Sequence, residues 1–274
     1  MRQQLVSWIV QNLAANRERL AADFAADRHP VRSHFAALDR VLPDDVAHWI
    51  HAAFPPVSRM RLMNSFREQK YTSKNLDQFD PLVGDALFAF QAPEVIAEVA
   101  AITGFEGLIG DASFYAGGIS AMTHGQYLNP HLDNSHEATR SFYRRINVLF
   151  YCTPGWGPGD GGNLELWDTS VRRLLEIPSL FNRLVIMETN RQSWHSVNPV
   201  RRHGLCARCC VSNYYFSKES PEAGHDYFHV TTFSARPEQR IARLMASADN
   251  LIRSAVRLIK KDGLGRKDVY KRAA

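Results

Sequence analysis

The spacing of apolar positions changes along the chain and separates a helical beginning from a strand-rich middle. In residues 2–27 the apolar side chains recur at near-helical intervals, which predicts one amphipathic helix ending before Pro30. A second helix is predicted over 42–54, because a proline and two aspartates occupy its first turn, where the helix dipole favours acidic groups. One or two further helices are expected between residues 80 and 102.

From residue 111 to residue 233, short β-branched and aromatic runs alternate with Gly, Pro, Asn and Asp, as in INVLFYC, RLVIMET and RCCVSNYYF. Because no helical segments separate these runs, an antiparallel sandwich or barrel is favoured over a parallel sheet. We predict a mostly β core with α additions. It is a double-stranded β-helix (jelly roll, cupin-like) over 111–235, flanked by N-terminal and C-terminal helices. Residues 1–110 are then a helical and strand elaboration packed on this core.

The last segment, 236–274, carries an apolar stripe at helical spacing that Gly263 ends. It also holds eleven Lys and Arg against four Asp and Glu, so the net charge of +5 belongs to this tail. We expect a basic amphipathic helix that packs on the core with its cations solvated. The alternative is peripheral contact with an anionic surface, such as membrane lipid, lipopolysaccharide or a partner. Nucleic acid is disfavoured as a partner, since the tail lacks interleaved aromatic residues.

Compartment and cysteine usage narrow the class of protein further. The chain shows neither a signal-peptide core nor an apolar run long enough to cross a membrane, so a cytoplasmic protein is expected. Its four cysteines give no secreted disulfide framework. Cys206 and Cys209 form a CxxC, but no second CxxC or CxxH accompanies it, which disfavours a zinc site.

The candidate metal ligands are His131, Asp133 and His195. On a strand, His131 and Asp133 would point to the same face, yet one such HxD is expected by chance in a chain of this composition. His195 lies far downstream beside another strand-like run, and a jelly roll can bring such strands together. Two histidines and one carboxylate leave three positions open on octahedral iron(II), enough for a bidentate 2-oxoacid and dioxygen. The other histidines considered are expected to be surface or hydrogen-bonded groups: His124, His136, His203, His225 and His229.

Five blocks in order between Phe114 and Phe216 carry a resemblance to a known family. They read GQYLNPHLDN, RRINVLFYCTPGWGPGDGGNLELW, IPSLFNRLVIMETN, SWHSVNPV and RCCVSNYYF. In this order they resemble the prolyl 4-hydroxylase-like group of the Fe(II)/2-oxoglutarate-dependent dioxygenase superfamily. The resemblance implies that His131, Asp133 and His195 hold Fe(II). It further implies 2-oxoglutarate and O2 as co-reactants, with ascorbate as a candidate reductant.

The resemblance also implies a 2-oxoglutarate pocket. Arg208 matches the arginine that binds the remote carboxylate, Tyr151 matches the tyrosine that shares it, and Ser212 would lie on the same strand face. Tyr127 is expected as a pocket neighbour. The interval from His195 to the arginine is longer than usual for the family, so two other arginines stay in contention: Arg201 and Arg202. Arg208 is preferred because it begins a strand-like run, whereas the others lie in a turn-like PVRRHG.

The activity implied is hydroxylation of an unactivated C–H bond with release of succinate and CO2. Asp133 at the ligand position favours hydroxylation over halogenation, for which relatives have a small residue there. The resemblance favours a prolyl residue of a peptide, or a free amino acid, as substrate. A sugar, lipid or lipopolysaccharide-type substrate is the first alternative. A non-catalytic jelly-roll binding module and a cupin-type metalloenzyme without 2-oxoglutarate are the others.

Overall fold

The computed structural model describes residues 1–111, 117–204, 206–222, 225–239, 243, 245, 246 and 248–252. Five α-helices precede the central strands in the described part of the chain. They are α1 Arg2–Ala15, α2 Arg17–Ala25, α3 Asp44–Ala53, α4 Pro81–Ala89 and α5 Pro93–Thr103. Helices α3 to α5 lie where the apolar spacing predicts them.

Thirteen strands make up the sheet of the described chain. They are β1 Phe35–Asp39, β2 Arg61–Asn64, β3 Glu68–Ser73, β4 Ile109–Gly110, β5 Gly118–Met122, β6 Tyr127–Leu132, β7 Tyr143–Tyr151, β8 Leu164–Trp167, β9 Leu174–Ile177, β10 Arg183–Glu188, β11 His195–Val197, β12 Arg208–Ser217 and β13 Thr232–Phe233. Strands β1 to β4 lie within the first 110 residues. The predicted boundary between the N-terminal elaboration and the core at residue 110 stays a prediction.

The strand order is β1-β10-β7-β12-β5-β3-β6-β11-β8-β9, with β13 beside β6, β2 beside β3 and β4 beside β12. Every pairing is antiparallel. The sheet curls into a half-barrel, which confirms the predicted mostly β, double-stranded β-helix core. Strands distant in sequence, such as β6 and β11, thereby become direct neighbours.

The two central strands, β7 and β12, are buried on both faces. In β7, Val148 and Phe150 pack into the apolar cluster that includes the helices, whereas Leu149 and Tyr151 belong to a second cluster inside the curled sheet. This explains why INVLFY is almost uniformly apolar, since a strand covered on both faces has no solvent side. Alternate residues of these strands therefore point either at the helices or into the barrel.

The predicted single helix over residues 2–27 is wrong, because the structure breaks it at Asn16. This residue leaves the helical region at φ −112° and ψ 8°, and its side-chain amide donates to the Asn12 carbonyl at 2.9 Å. An asparagine side chain competes with the backbone for such hydrogen bonds, which favours a helix boundary. The second helix then ends at Ala25, ahead of the predicted end.

Parts of two predicted elements lie outside the described residues. Residues 112–116 of the predicted strand DASFYAGGIS are among them, and its last three residues begin β5. In the basic segment, residues 243, 245, 246 and 248–252 are helical, while 253–274, with Gly263, lie outside the description. No single described helix is long and apolar enough to cross a membrane. Helices α4 and α5 together, bent by 42°, meet the length and composition criteria.

Candidate active site

The structure brings His131, Asp133 and His195 together at one end of the barrel interior. Strands β6 and β11 pair so that His131 and His195 are directly opposite each other, and Asp133 follows the end of β6. The carboxylate oxygens Oδ1 and Oδ2 of Asp133 lie 3.7 Å from Nε2 of His131 and 3.7 Å from Nε2 of His195, respectively. One ligand atom from each residue lies within 4.8 Å of the others, a spacing that suits a metal ion.

Hydrogen bonds to the backbone fix the tautomers of both histidines. Nδ1 of His131 lies 3.0 Å from the Asn129 carbonyl, and Nδ1 of His195 lies 2.9 Å from the Ser193 carbonyl. A carbonyl only accepts, so each Nδ1 carries the proton and each Nε2 presents a lone pair. Burial, followed by the neighbouring His195, lowers the pKa of His131 to about 3, so its imidazole is neutral and able to bind a metal.

Arg144 forms an ion pair with Asp133. Its Nη1 lies 3.1 Å from Asp133 Oδ2, its Nη2 donates to Asn134 Oδ1 at 2.8 Å, and its guanidinium lies over the Tyr214 ring at 4.1 Å. Burial alone would favour the protonated acid, but Arg144 and the two histidines together hold the pKa of Asp133 below its ordinary value. Asp133 is therefore a carboxylate, the form that ligates metal.

Arg208 lies in the same cavity as the triad and is 4% exposed. Its Nη2 lies 3.0 Å from the Met122 sulfur, its Nε has no hydrogen-bond partner, and its guanidinium lies 5.2 Å from the Tyr151 ring centroid. Among the described residues it has no carboxylate within ion-pair distance. A buried cation without a counter-charge is costly, so this end of the cavity suits an anionic ligand.

A glycine turn makes room for the stem of Arg208. Gly162 has φ +68°, and a Cβ at this position would lie 2.9 Å from Cδ of Arg208 and 3.1 Å from Val200. The sequence GDGGNL thus combines a left-handed backbone with a close approach, both of which require glycine. This turn precedes β8 and fixes where the guanidinium reaches the cavity.

One cavity of about 370 Å³ joins the histidine end to the arginine end. Tyr151 and Ser212, expected beside 2-oxoglutarate, line it together with the triad and Arg208. Leu149, Leu164 and Met122 supply apolar wall between the polar groups. Burial raises the pKa of Tyr151, so its phenol stays protonated and can donate to an anion.

Tyr127, expected as a pocket neighbour, is not among the described residues that line the cavity. The reason is an irregularity in β6: Val197 pairs with Leu128 and His195 pairs with His131, so three steps on β6 match two on β11. The extra residue changes which side chains face inward. Leu128 lines the cavity instead, and the Tyr127 hydroxyl reaches only the Ser65 carbonyl, at 3.4 Å.

Arg201 and Arg202 also lie off the cavity. Arg201 is exposed, and Arg202 donates to the Gly155 carbonyl at 2.8 Å and approaches Asp160 at 3.4 Å. Both belong to the loop that precedes β12 rather than to the strand. Of the three arginines in contention, the structure places Arg208 alone against the cavity.

Several cavity residues were missed by the sequence analysis, chiefly Arg144, Asn147 and Lys70. Strict alternation from Tyr151 through Asn147 would point Arg145 inward. However, Tyr215 pairs with Ile146 and Phe216 pairs with Arg144, so a bulge at residue 145 turns Arg144 inward instead. Lys70 comes from β3, whose sequence EQKYTS has no apolar alternation to mark it as a strand.

The remaining cysteines and histidines do not form a second metal site in the described part of the chain. The triad is the one group there of three or more potential ligands, and Cys206 and Cys209 are free thiols. Three of the other histidines contact neighbouring side chains. His136 is hydrogen-bonded to Ser135 at 2.8 Å, whereas the rings of His124 and His203 stack at 3.9 Å.

Comparison with protein families agrees with this geometry. Residues 117–216 match the 2OG-Fe(II) oxygenase superfamily, a range that contains the triad, Arg208 and the glycine turn. No curated protein matches the chain significantly.

Solved structures with the same fold include prolyl 4-hydroxylases. The Pseudomonas putida prolyl 4-hydroxylase is 16% identical, with a TM-score of 0.54 over 76% of this chain and 100% of that one. A Phytophthora capsici prolyl 4-hydroxylase is 13% identical, with a TM-score of 0.51 over 94% of this chain and 80% of that one. The 2-oxoglutarate-dependent epimerase SnoN from nogalamycin biosynthesis is 13% identical, with a TM-score of 0.54 over 78% and 90%.

The curled antiparallel sheet, the His-Asp-His group and the family match together define an iron(II)- and 2-oxoglutarate-dependent oxygenase. Residues 117–216 match the 2OG-Fe(II) oxygenase superfamily, and the chain has the fold of the prolyl 4-hydroxylase-like group. It is a 2-oxoglutarate-dependent dioxygenase, and its cofactors are Fe(II) and 2-oxoglutarate.

Proposed function

We propose that this dioxygenase hydroxylates an unactivated C–H bond of its substrate and releases succinate and CO2. In this proposal His131, Asp133 and His195 hold the iron and Arg208 anchors the remote carboxylate of 2-oxoglutarate. The observation that carries it is the pairing, in one cavity, of three metal-competent ligands with a buried guanidinium that lacks a carboxylate partner. A non-catalytic module has no need of that cation.

Iron(II), with 2-oxoglutarate and dioxygen, supplies an oxidising power that no protein side chain has. The residues of this chain bind, orient and shield. Nε2 of both histidines and the Asp133 carboxylate bind the metal, and the backbone carbonyls behind Nδ1 keep the rings in their ligating tautomer. Arg144 keeps the Asp133 carboxylate ionised and restricts its rotation.

At the other end of the cavity, the planar fork of Arg208 can make two parallel charge-assisted bonds to one carboxylate. Tyr151, with its phenol protonated, is placed to donate to the same group, and Ser212 offers a hydroxyl from the same strand. Leu149, Leu164 and Met122 exclude water between the two ends. In this proposal, each residue predicted for the 2-oxoglutarate pocket except Tyr127 has a role.

For the substrate we propose a prolyl group, either in a peptide or as a free amino acid. Its support is the resemblance of the five sequence blocks and the shared fold of two prolyl 4-hydroxylases. Sugar, lipid and lipopolysaccharide-type substrates use the same iron chemistry and are the alternatives. The SnoN structure shows that one fold serves more than one reaction, so a panel of substrates is needed.

The test combines a binding measurement with a turnover measurement. Anaerobic titration with iron(II) and 2-oxoglutarate should develop a weak visible charge-transfer band. Succinate release, with ascorbate as reductant, should then be stimulated by members of a panel of prolyl peptides, free amino acids and acidic sugars. Absence of the band in the wild-type protein would favour the binding-module or cupin interpretation and overturn the proposal.

A further inference from the structure

A second cavity, of about 320 Å³, adjoins the one that holds the triad. The two share a wall made of five residues: Glu68, Lys70, Ser120, Ser212 and Tyr214. None of the three candidate iron ligands lines the second cavity, and neither does Arg208. A compact molecule in this space would therefore approach the iron site across the shared wall, and of the residues expected beside 2-oxoglutarate it would meet Ser212 but not Arg208 or Tyr151.

The hairpin of β2 and β3 gives the second cavity its charge. Arg61 pairs with Thr72 and Met63 pairs with Lys70, and partners directly opposite each other in an antiparallel pair share one face of the sheet. This face continues through Lys74 along the cavity wall. Among the described residues of the wall, three side chains are cationic and one, that of Glu68, is a carboxylate.

Lys70 is placed at the junction of the two cavities. Its Nζ lies 3.0 Å from Glu68 Oε2, and the side chains are 23% and 17% exposed, so the pair is partly removed from water. Charges in such a setting interact more strongly than on an open surface. An anion that enters beside Lys70 gains this interaction in competition with Glu68, whereas a neutral ligand gains nothing comparable.

Asn147 shows that the first cavity, on the other side of the shared wall, has room for a hydrogen-bond donor. It is 3% exposed and lines the first cavity, and its Oδ1 has no hydrogen-bond partner. A buried amide oxygen without a donor costs free energy that a bound ligand can recover. The walls around the triad are thus prepared for hydrogen bonding as well as for charge.

We propose that the second cavity is the substrate subsite and that it takes a small molecule bearing a carboxylate or phosphate, bound at Lys70. The place of reaction rests on the proposed function, but the binding of the anion does not. Within that function, the subsite favours a free amino acid or another small acid over an uncharged segment of a peptide.

The test uses the full-length protein loaded with nickel(II) and 2-oxoglutarate, and measures binding by calorimetry without turnover. Two matched pairs serve as probes: N-acetyl-L-proline with N-acetyl-L-prolinamide, and glucose 6-phosphate with glucose. At least one anion should bind roughly tenfold or more tightly than its neutral counterpart, a difference of about 1.4 kcal/mol. The two pairs separate a carboxylate preference from a phosphate preference.

Two substitutions at the shared wall should act in opposite directions. Lys70→Met keeps an unbranched side chain only one atom shorter and removes its charge, so the affinity for the anion should fall about tenfold. Glu68→Gln removes the competitor for Lys70 and should strengthen the same binding. Lys218→Met, at an exposed position beyond β12, is the matched control and should change nothing.

Equal binding of charged and neutral probes, or no binding of either anion, would overturn the proposal. So would a Lys70→Met variant that weakens 2-oxoglutarate binding and leaves anion binding unchanged, because the cations would then only attract the co-substrate. Loss of the iron and 2-oxoglutarate band in the wild-type protein is a different failure. It would count against the proposed function and leave anion binding to be judged by the calorimetry.

Discussion

The two ends of the main cavity differ in whether their buried charged residue has a partner of opposite charge. At the metal end, Asp133 is compensated by Arg144, and each histidine is held by a backbone carbonyl. At the other end, Arg208 is as deeply buried but has no described carboxylate partner. The carboxylate at the metal end thus has a paired cation before any ligand arrives, whereas the arginine end carries a desolvation cost that an anionic co-substrate must relieve.

The largest effect is expected from a substitution at the metal end, where Asp133 is paired with Arg144. Asp133→Ala should abolish the charge-transfer band and succinate release, because it removes a metal ligand. It also leaves Arg144 buried without its partner, which costs about 3–5 kcal/mol of folding stability. Iron titration and thermal unfolding measure the two losses.

Asp39→Ala is the control, since it breaks an ion pair with Arg183 in which Asp39 is 55% exposed. Such a pair contributes less than about 1 kcal/mol. Wild-type turnover in Asp133→Ala would eliminate this residue as a ligand.

Substitution of Arg208, at the other end of the cavity, should weaken 2-oxoglutarate binding without lowering the stability of the ligand-free protein. Arg208→Gln is expected to weaken 2-oxoglutarate binding by about 2–5 kcal/mol, the usual cost of losing one partner of a buried charge pair. The ligand-free protein should lose no stability, because a buried cation without a partner has been removed.

Titration with 2-oxoglutarate and chemical unfolding of the ligand-free protein test both statements. Arg202→Gln, off the cavity, serves as the control. If Arg202→Gln weakens 2-oxoglutarate binding more than Arg208→Gln does, the assignment of the anchor is wrong.

A smaller effect is expected from the turn that supports Arg208. In Gly162→Ala the new methyl group would lie 2.9 Å from Cδ of Arg208, so the guanidinium must shift. We expect 2-oxoglutarate affinity to fall about tenfold, or about 1.4 kcal/mol.

Gly204→Ala is a matched control, because Gly204 also has positive φ, +94°, but a Cβ there meets nothing within 4 Å. Both variants carry backbone strain and only the first displaces Arg208. Equal losses of 2-oxoglutarate affinity in the two variants would show that strain alone is responsible.

The smallest effect is expected at Tyr127, which lines neither end of the cavity. Tyr127→Phe removes only a 3.4 Å hydrogen bond to the Ser65 carbonyl. The affinity for 2-oxoglutarate should stay within about twofold of wild type, well under the 1.4 kcal/mol of a tenfold change. A larger loss of affinity would show that Tyr127 contributes to the 2-oxoglutarate pocket.

The sequence predicted the parts of the site that motifs and alternation can carry. His131, Asp133 and Arg208 stand in ordered blocks, and the alternation of RCCVSNYYF correctly indicated a strand. The bulge at Arg145 and the irregularity in β6 were invisible, because each depends on the register between two strands. They account for the missed Arg144 and for the position of Tyr127 outside the cavity lining.

The second cavity could not be anticipated for a different reason. Its hairpin, β2 and β3, mixes polar and apolar residues on both faces, and its role follows from the place of β3 between β5 and β6 in the sheet. In the same way, the break at Asn16 depends on one side chain competing for a backbone carbonyl within an otherwise good helical pattern. Long apolar patterns predicted elements well, whereas single polar residues decided where elements end.

The direct pairing of His131 with His195 also ties iron binding to the order of folding. These ligands come from strands far apart in sequence, and contacts of this kind form slowly because a long loop must close first. The iron site therefore does not exist until β11 has docked on β6. Once it has, the metal holds the two strands together, and its binding energy adds to the stability of the closed barrel. Iron binding should therefore stabilise the pairing of β6 with β11. When the metal is lost, these two strands should open before the central strands β7 and β12 do.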